Sequence, residues 1–502
     1  MIQPKICLTL TGSTLEEDLK ILNEYRDYID IAELRADFLT SEERFFIKRF
    51  PQMAGIPCIL TIRRIIDGGQ YKEGEAARTM LFARTLALTD DHTAKKFDYM
   101  DFEEDFHIST LQDAAAAFGT KIIRSFHDMK NPVKNIKEKL ESLKQTGFDI
   151  PKIAFMPHTL DDVTTLFEQA AKLNDDNHIL IAMGPLGEPS RILSAKLNNL
   201  LTFTSPAETN KNVEALGHID PITLNKTYHF RSINQNTTVY GITGWPLKAT
   251  SSPALHNEGY EKHNMNAVYV PVRAETFEEA FHFANTIGIK GMSVTVPHKE
   301  RVLSNISTKD EKVKEIGASN TIVNGGLGLW TAYNTDVSGF TRALLEFTGT
   351  KNLSRKKVAI IGAGGAAKAI AYAVKQLHGK ACIFNRTASK AKDLAEKYGF
   401  EYAGLPSAPY DEGFKLARKY NDLIIQTTSK GMGSNEPASP ENDPWFFYKF
   451  TGREMVFDIV YVPEATPILK RALEAGCRVC NGFGMLLYQG YEQFKLFTGE
   501  EY

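Results

Sequence analysis

Short apolar runs recur along the first half of the chain, each bounded by charged or turn-forming residues. They fall at Ile6–Leu10, Ile29–Leu34, Cys58–Ile62, Tyr99–Phe102, Ile122–Phe126, Ile153–Met156, Ile179–Met183 and Leu201–Phe203. Helical spacing of apolar positions fills the gaps, at Leu15–Tyr25, Ala76–Leu88, Leu111–Phe118, Val133–Gln145, Val163–Lys172 and Arg191–Leu200, and more weakly at Ser41–Phe50. Strands that alternate with helices in this way predict a (β/α)8 TIM barrel, an α/β fold.

Chemistry in such a barrel gathers where the strands end, and here those ends are charged. The second strand runs into Glu33-Leu-Arg35-Ala-Asp37, the third into Arg63 with Asp67-Gly68-Gly69 beyond it, and the fifth into Ser125-Phe-His127-Asp128. The sixth opens on Lys152-Ile-Ala-Phe-Met-Pro157, and Arg191 follows the seventh. An ammonium inside an apolar strand is costly to bury. Lys152 is therefore either salt-bridged to Glu33 or turned outward, or else a Schiff-base lysine with His127 as its proton carrier. Spacing alone leaves both readings open.

A polar stretch, Asn225–Asn236, reads as a linker. A new strand begins at Val239, and a hydroxyl-rich turn follows with Thr250 and Ser252, either carboxylate donors or a plain helix cap. Another strand leads to Lys299, and Asn320 and Asp336 lie in later loops. Then Val358-Ala-Ile-Ile-Gly362-Ala363-Gly364-Gly365-Ala366-Ala367 spells strand, glycine turn and helix, the pattern that places a dinucleotide pyrophosphate on a helix N-terminus. The next strand ends in Asn385-Arg386-Thr387, with Lys390 just beyond, where an NAD site carries an acidic residue. A cationic fork there suits the 2′-phosphate of NADP; the alternative is a solvated arginine on an ordinary βαβ unit.

Composition narrows the partners. The 502 residues carry a net charge of −2 and 24% charged residues, which argues against a nucleic-acid partner. No apolar run is long enough for a membrane span. The N-terminus enters a strand directly, so a cytoplasmic location is expected. Five cysteines fit no disulfide framework, and Cys477-Arg-Val-Cys480 lacks a second metal-ligand pair. No metal is expected, and oligomeric state is left open.

The barrel motifs, taken in order with M-G-P-L-G-x-x-S-R around Arg191, resemble those of type I 3-dehydroquinate dehydratase over residues 1–228. That resemblance implies an imine between Lys152 and the substrate ketone, proton transfer by His127, and substrate contacts from Glu33, Arg35, Arg63 and Arg191. Asp67 stands where that family has a Glu that orients the histidine. Glu214-Ala-Leu-Gly217-His218 replaces a Ser-Ala-Pro-Gly-Gln lid segment, so His218 is expected to supply one pH-sensitive hydrogen bond near neutrality. The remainder resembles shikimate dehydrogenase. A substrate domain is expected at 237–337, completed by about 478–502, with an NADP-binding Rossmann domain at 338–477. The resemblance makes Lys299 and Asp336 the catalytic pair and Thr250, Ser252, Asn320, Tyr461 and Gln489 substrate contacts. The expected substrates are 3-dehydroquinate, 3-dehydroshikimate and shikimate. The alternative is a dehydrogenase of quinate or shikimate governed by a barrel that only binds metabolite.

Overall fold

A computed structural model describes residues 3–86, 95–173, 177–208, 216–247, 250–326, 328–406 and 411–502. The chain forms two compact units, Met1–Ile289 and Lys290–Tyr502. Among the described residues no helix is long and apolar enough to cross a membrane.

Eight parallel strands build the first unit's barrel: β1 Lys5–Leu10, β2 Ile31–Arg35, β3 Cys58–Thr61, β4 Tyr99–Glu103, β5 Lys121–Asp128, β6 Ile150–Phe155, β7 Ile179–Ala182 and β8 Leu201–Thr204. They pair in chain order from β1 to β7, and β8 lies beside β1. Strand side chains alternate between faces, and this alternation lays the interior out in levels. Cys7, Ile31, Ile59, Tyr99, Ile123, Ile150 and Ile179 belong to one buried apolar cluster that closes the floor. Two residues further along each of the first six strands, on the same face, stand Thr9, Glu33, Thr61, Asp101, Ser125 and Lys152, all buried. One period supplies both the dry floor and the polar level above it.

The barrel is sealed between β7 and β8 largely by a side chain. His178 and Asn199 form an isolated bridge before the two strands. The Asn199 amide then accepts from Leu180 N–H at 2.7 Å and donates to Leu180 C=O at 2.9 Å, taking the place of a ladder rung.

Two sequence expectations change. The helix expected at Arg191–Leu200 is two short pieces, Glu188–Ile192 and a 3-10 turn at Ser194–Leu197, because Asn198 adopts a left-handed conformation and the chain must turn back into β8. The weak helix at Ser41–Phe50 is a 3-10 segment, Glu43–Arg49, leading into a short helix, Phe50–Ala54. The expected linker is also anchored: Gln235 donates to Ala195 C=O at 2.6 Å, and Lys196 donates to Gln235 C=O at 2.9 Å.

Beyond it, β9 (Thr238–Gly244) and β10 (Ala267–Arg273) pair in parallel. The helix Phe277–Ile287 packs on the barrel helix Leu160–Ala170, with Phe167 and Phe283 meeting edge to face at 5.5 Å. Leu160 N–H donates to Glu279, and Arg273 ion-pairs with Glu188. This packing carries the first unit past the barrel, so the division at 289/290 falls inside the expected 237–337 domain.

The second unit holds β11 (Gly291–Val294), β12 (Thr308–Lys309), β13 (Thr321–Asn324) and β14 (Trp330–Tyr333), with β13 antiparallel to β11 and β14. A parallel sheet follows: β15 Lys357–Ile361, β16 Lys380–Asn385, β17 Glu401–Gly404, β18 Leu423–Gln426, β19 Met455–Asp458 and β20 Arg478–Cys480. Its order is β17-β16-β15-β18-β19-β20, the doubly wound Rossmann arrangement. Successive β15 residues feed opposite cores: Val358 and Ile360 pack on one side, Ala359 and Ile361 on the other. The last helix, Phe483–Thr498, returns to lie along the helix Asp336–Thr348, where Gly339 leaves room for the Gln489 backbone.

Asn199→Leu keeps the bulk but leaves both Leu180 backbone groups unpaired in the interior. An unmet buried polar group costs roughly 1–3 kcal/mol. Denaturant unfolding should show a loss of at least that size; an unchanged midpoint would show that the seam does not depend on the amide.

Candidate active sites

The level above the barrel floor is an ion-pair network centred on Asp101. Its carboxylate accepts from Lys152 Nζ at 3.0 Å, from Ser125 Oγ at 2.5 Å, and pairs with Arg63 at 2.9 Å. Arg63 also reaches Glu103 at 3.2 Å, and Glu103 is held in turn by the fully buried Arg78 at 2.6 Å. The Arg63 and Lys152 cations, with smaller help from His127 and Ser125, hold Asp101 far below the usual carboxylate range despite its burial. Lys152 is 4% exposed, with its ammonium 4.3 Å from the centre of the Phe203 ring. Its counter-ion is thus Asp101. Glu33, the partner considered from sequence, instead accepts from Thr9 at 2.8 Å and Thr61 at 2.7 Å.

Above this level Lys152, His127, Arg35, Arg63, Arg191 and His218 line one cavity. Desolvation, then Arg63 and Lys152, push the His127 imidazole well below its ordinary range, and its Nδ1 has no hydrogen-bond partner among the described residues. It is therefore neutral at physiological pH and able to accept a proton. Arg35 is occupied by Asp37 in a two-pronged pair at 2.8 and 2.9 Å. Arg191 is different. It donates to Phe203 C=O at 3.2 Å and Leu216 C=O at 2.7 Å, and burial pushes it down to about 9. A buried guanidinium bonded, among the described residues, only to neutral carbonyls suits an anion.

Two expectations about this cavity need adjustment. Asp67 also lines it, but its carboxylate accepts from Arg64 Nε at 2.7 Å rather than bonding to His127, and Arg64 is forked onto Asp105. The shorter side chain stays with its near neighbour. His218 is held well below the ordinary imidazole range by desolvation and by Arg191, Arg35 and Lys152. The expected titration near neutrality is corrected: among three cations His218 stays uncharged there. Glu214 lies outside the described residues. Gly217 has φ +68° and packs on Gly184, where any side chain would strike the Gly184 carbonyl.

The second unit carries its own cluster. Lys299 Nζ donates to Asp336 at 2.5 Å. Asn320 donates to the other Asp336 oxygen at 2.9 Å and to Gln489 at 3.2 Å, and accepts from Thr335 N–H at 2.8 Å. Asp336 opens the helix Asp336–Thr348, where the dipole favours an anion. Tyr461, half-buried on the loop after β19, takes no part in these bonds. In the first unit, Thr250 and Ser252 hydrogen-bond to each other at 3.2 Å at the start of the helix Ser252–Lys262.

The glycine turn follows β15. Gly362 has φ +117°, which only glycine adopts freely, and a Cβ there would strike Thr427. A Cβ on Gly364 would meet no atom within 4 Å, so the backbone presents open space at the start of the helix Gly365–Gln376. Ala363 and Ala366 complete the turn, and buried Ala367 packs beneath it. Past β16, Asn385 donates to Thr387 C=O at 3.0 Å, turning the chain, while Arg386 and Lys390 are exposed. These residues fit NADP: an open backbone cradle for the pyrophosphate and two exposed cations beyond the second strand.

The type I 3-dehydroquinase model matches residues 6–235. Models of the shikimate dehydrogenase substrate binding domain, of shikimate/quinate 5-dehydrogenase and of the shikimate 5′-dehydrogenase C-terminal domain match 242–322, 345–432 and 482–501. The chloroplastic bifunctional 3-dehydroquinate dehydratase/shikimate dehydrogenase of Arabidopsis thaliana is 32% identical over 495 residues, covering 94% of this chain and 78% of that protein. The chain belongs to this bifunctional family. The NADP(+) shikimate dehydrogenase of Pyrococcus abyssi is 40% identical over 262 residues, 52% of this chain and 92% of its own. A crystal structure of shikimate dehydrogenase from Aquifex aeolicus aligns with a TM-score of 0.47 at 32% identity, covering 54% of this chain and 96% of that one.

For a member of the bifunctional family, sequence reasoning missed Asp101, Glu103 and Gln493. The first two stand at alternate positions of an otherwise apolar strand, Tyr-Met-Asp-Phe-Glu, a spacing that puts two carboxylates on one inward face. Gln493 lies one helical turn beyond Gln489, accepts from Ser293 at 2.8 Å and donates to Thr321 at 2.9 Å.

Asp101→Asn would leave Lys152 and Arg63 sharing no anion at that point. Removing one member of a buried pair costs about 3–5 kcal/mol. A fall of that order in denaturant stability at pH 7, with loss of dehydratase turnover, is expected. Wild-type values for both would show that Asp101 is not their essential counter-charge.

Proposed function

We propose that the barrel converts 3-dehydroquinate to 3-dehydroshikimate at Lys152, and that Lys299 and Asp336 serve the reduction of that product to shikimate. The protein is a bifunctional enzyme, a lyase and an NADP oxidoreductase of the shikimate pathway. The observation that carries the residue assignment is a buried lysine, a neutral imidazole and a guanidinium that meets only carbonyls among the described residues, all lining one cavity.

In this reading Arg191 receives the substrate carboxylate, and Glu33 and Arg35 hold its hydroxyls. Lys152 passes an ammonium proton to neutral His127 and adds to the C3 ketone; His127 returns that proton to the carbinolamine hydroxyl, which leaves as water and gives a protonated imine. That cation draws electrons from the C2–H bond as neutral His127 takes the proton. The C1 hydroxyl leaves with a proton returned by His127, and hydrolysis of the imine restores Lys152. Asp101 stays ionised throughout, stabilising positive charge at Lys152 before and after the bond forms.

In the second unit NADPH, when bound, supplies a hydride. Lys299 delivers the proton that the reduced oxygen requires, and Asp336 orients its ammonium. Asn320 holds Asp336, and Gln489 stands ready to meet a substrate hydroxyl. The domain boundaries 1–228, 237–337 with 478–502, and 338–477 divide these roles. A reducing compartment such as the cytoplasm suits the five free thiols; the Arabidopsis relative is chloroplastic.

Borohydride with 3-dehydroquinate should leave a covalent adduct on the peptide that carries Lys152. Lys152→Ala should abolish dehydration and spare shikimate oxidation. An adduct on another lysine, or continued dehydration, would refute the imine and favour a barrel that only binds metabolite.

Charged hydrogen bonds contribute roughly 1.5–3 kcal/mol. Arg386→Ala should therefore weaken NADP about ten- to a hundredfold in a binding titration and leave NAD unchanged. Equal losses for both cofactors would show that Arg386 does not meet the 2′-phosphate.

A further inference from the structure

The two glycines that open the nucleotide-binding helix serve different neighbours. A Cβ on Gly364 would meet no atom of the described residues within 4 Å, as a phosphate site requires. Space beside Gly365 is taken by Lys299: a Cβ there would lie 2.8 Å from Lys299 Cβ and 3.3 Å from Cδ. The first of these contacts is with the root of the side chain, which moves only if the helix His298–Asn305 moves with it. One turn further along the nucleotide helix, Lys368 pairs with Glu300, the residue after Lys299, at 2.7 Å. Two adjacent positions of one helix are thus seated against two of the other.

The contact leads directly to the acid. Lys299 C=O accepts from Ser319 N–H at 2.7 Å, and the next residue, Asn320, grips Asp336. A shift at Lys299 is transmitted through Ser319 and Asn320 to the carboxylate that the Lys299 ammonium itself touches.

We propose that Gly365 is a positioning residue for the reductase: its missing side chain lets the nucleotide-binding turn seat the stem of Lys299, so that cofactor cradle and proton donor are set by one contact. Its glycine is retained for Lys299, whereas that of Gly364 is retained for the nucleotide. Backbone strain does not explain Gly365, which lacks the positive φ of Gly362. Helix propensity argues the other way, since alanine is favoured over glycine there.

The proposal rests on Lys299 acting in reduction, so Lys299→Ala is measured alongside. Displacing a reacting group by about 1 Å can cost about a hundredfold in rate. Gly365→Ala in the full chain should lower kcat for shikimate oxidation at least about tenfold, while the NADP Kd, measured by titration without shikimate, stays within about twofold. Gly364→Ala should do the reverse and weaken NADP. Unchanged kcat in Gly365→Ala, or a Kd that weakens in step with kcat, would overturn the proposal. Should Gly365→Ala lose its thermal transition, Glu300→Gln decides by the same split: lower kcat at unchanged Kd supports it, unchanged kcat overturns it. Full turnover in Lys299→Ala would instead overturn the reading of the active site on which it stands.

Discussion

Three side chains share the carboxylate of Asp101, one level above the closed floor of the barrel. Burying an ammonium and a guanidinium so close together is affordable only with an anion between them. The anion's position is set by strand geometry, because Asp101 sits two residues beyond the floor residue Tyr99 on the same face. Arg63 and Lys152 are thereby fixed from below. Arg191, whose backbone comes from a separate turn above, meets only neutral partners among the described residues. The charge balance is closed at the floor and open at the mouth.

The second unit solves a related problem with amides. Lys299 and Asp336 neutralise each other, and Asn320 spreads the Asp336 charge into a net of side-chain amides and hydroxyls that includes Gln489 and Thr335. These come from a strand edge, a helix start and the returning C-terminal helix. Amides and hydroxyls both donate and accept, so the net has the chemistry to meet a polyol.

Much of this was legible from local pattern. Short apolar runs that alternate with helical spacing foretell the barrel strands, and a strand–glycine–helix sequence foretells the nucleotide turn. What local pattern leaves open is partner choice across the barrel. Lys152 faces Asp101 and not Glu33 because register between neighbouring strands decides which inward residues meet. The break after Ile192 escaped because Arg191–Leu200 has good helical spacing, yet the chain must turn at Asn198 to enter β8. His218 reads as a titrating residue in isolation; burial, with three cations from separate elements, removes that behaviour. Gly365 looks like one more phosphate glycine until the side chain it accommodates is seen.

The aromatic contact between Phe167 and Phe283 bears on how such a chain could ever come apart again. Both residues are buried, together with Val163, Ala280 and Ala284 around them. A barrel standing alone has no reason to present a phenylalanine on that helix, and neither has a lone dehydrogenase. Cutting the chain at the connecting segment would bare these residues on both pieces, leaving each with an exposed apolar patch and a tendency to aggregate.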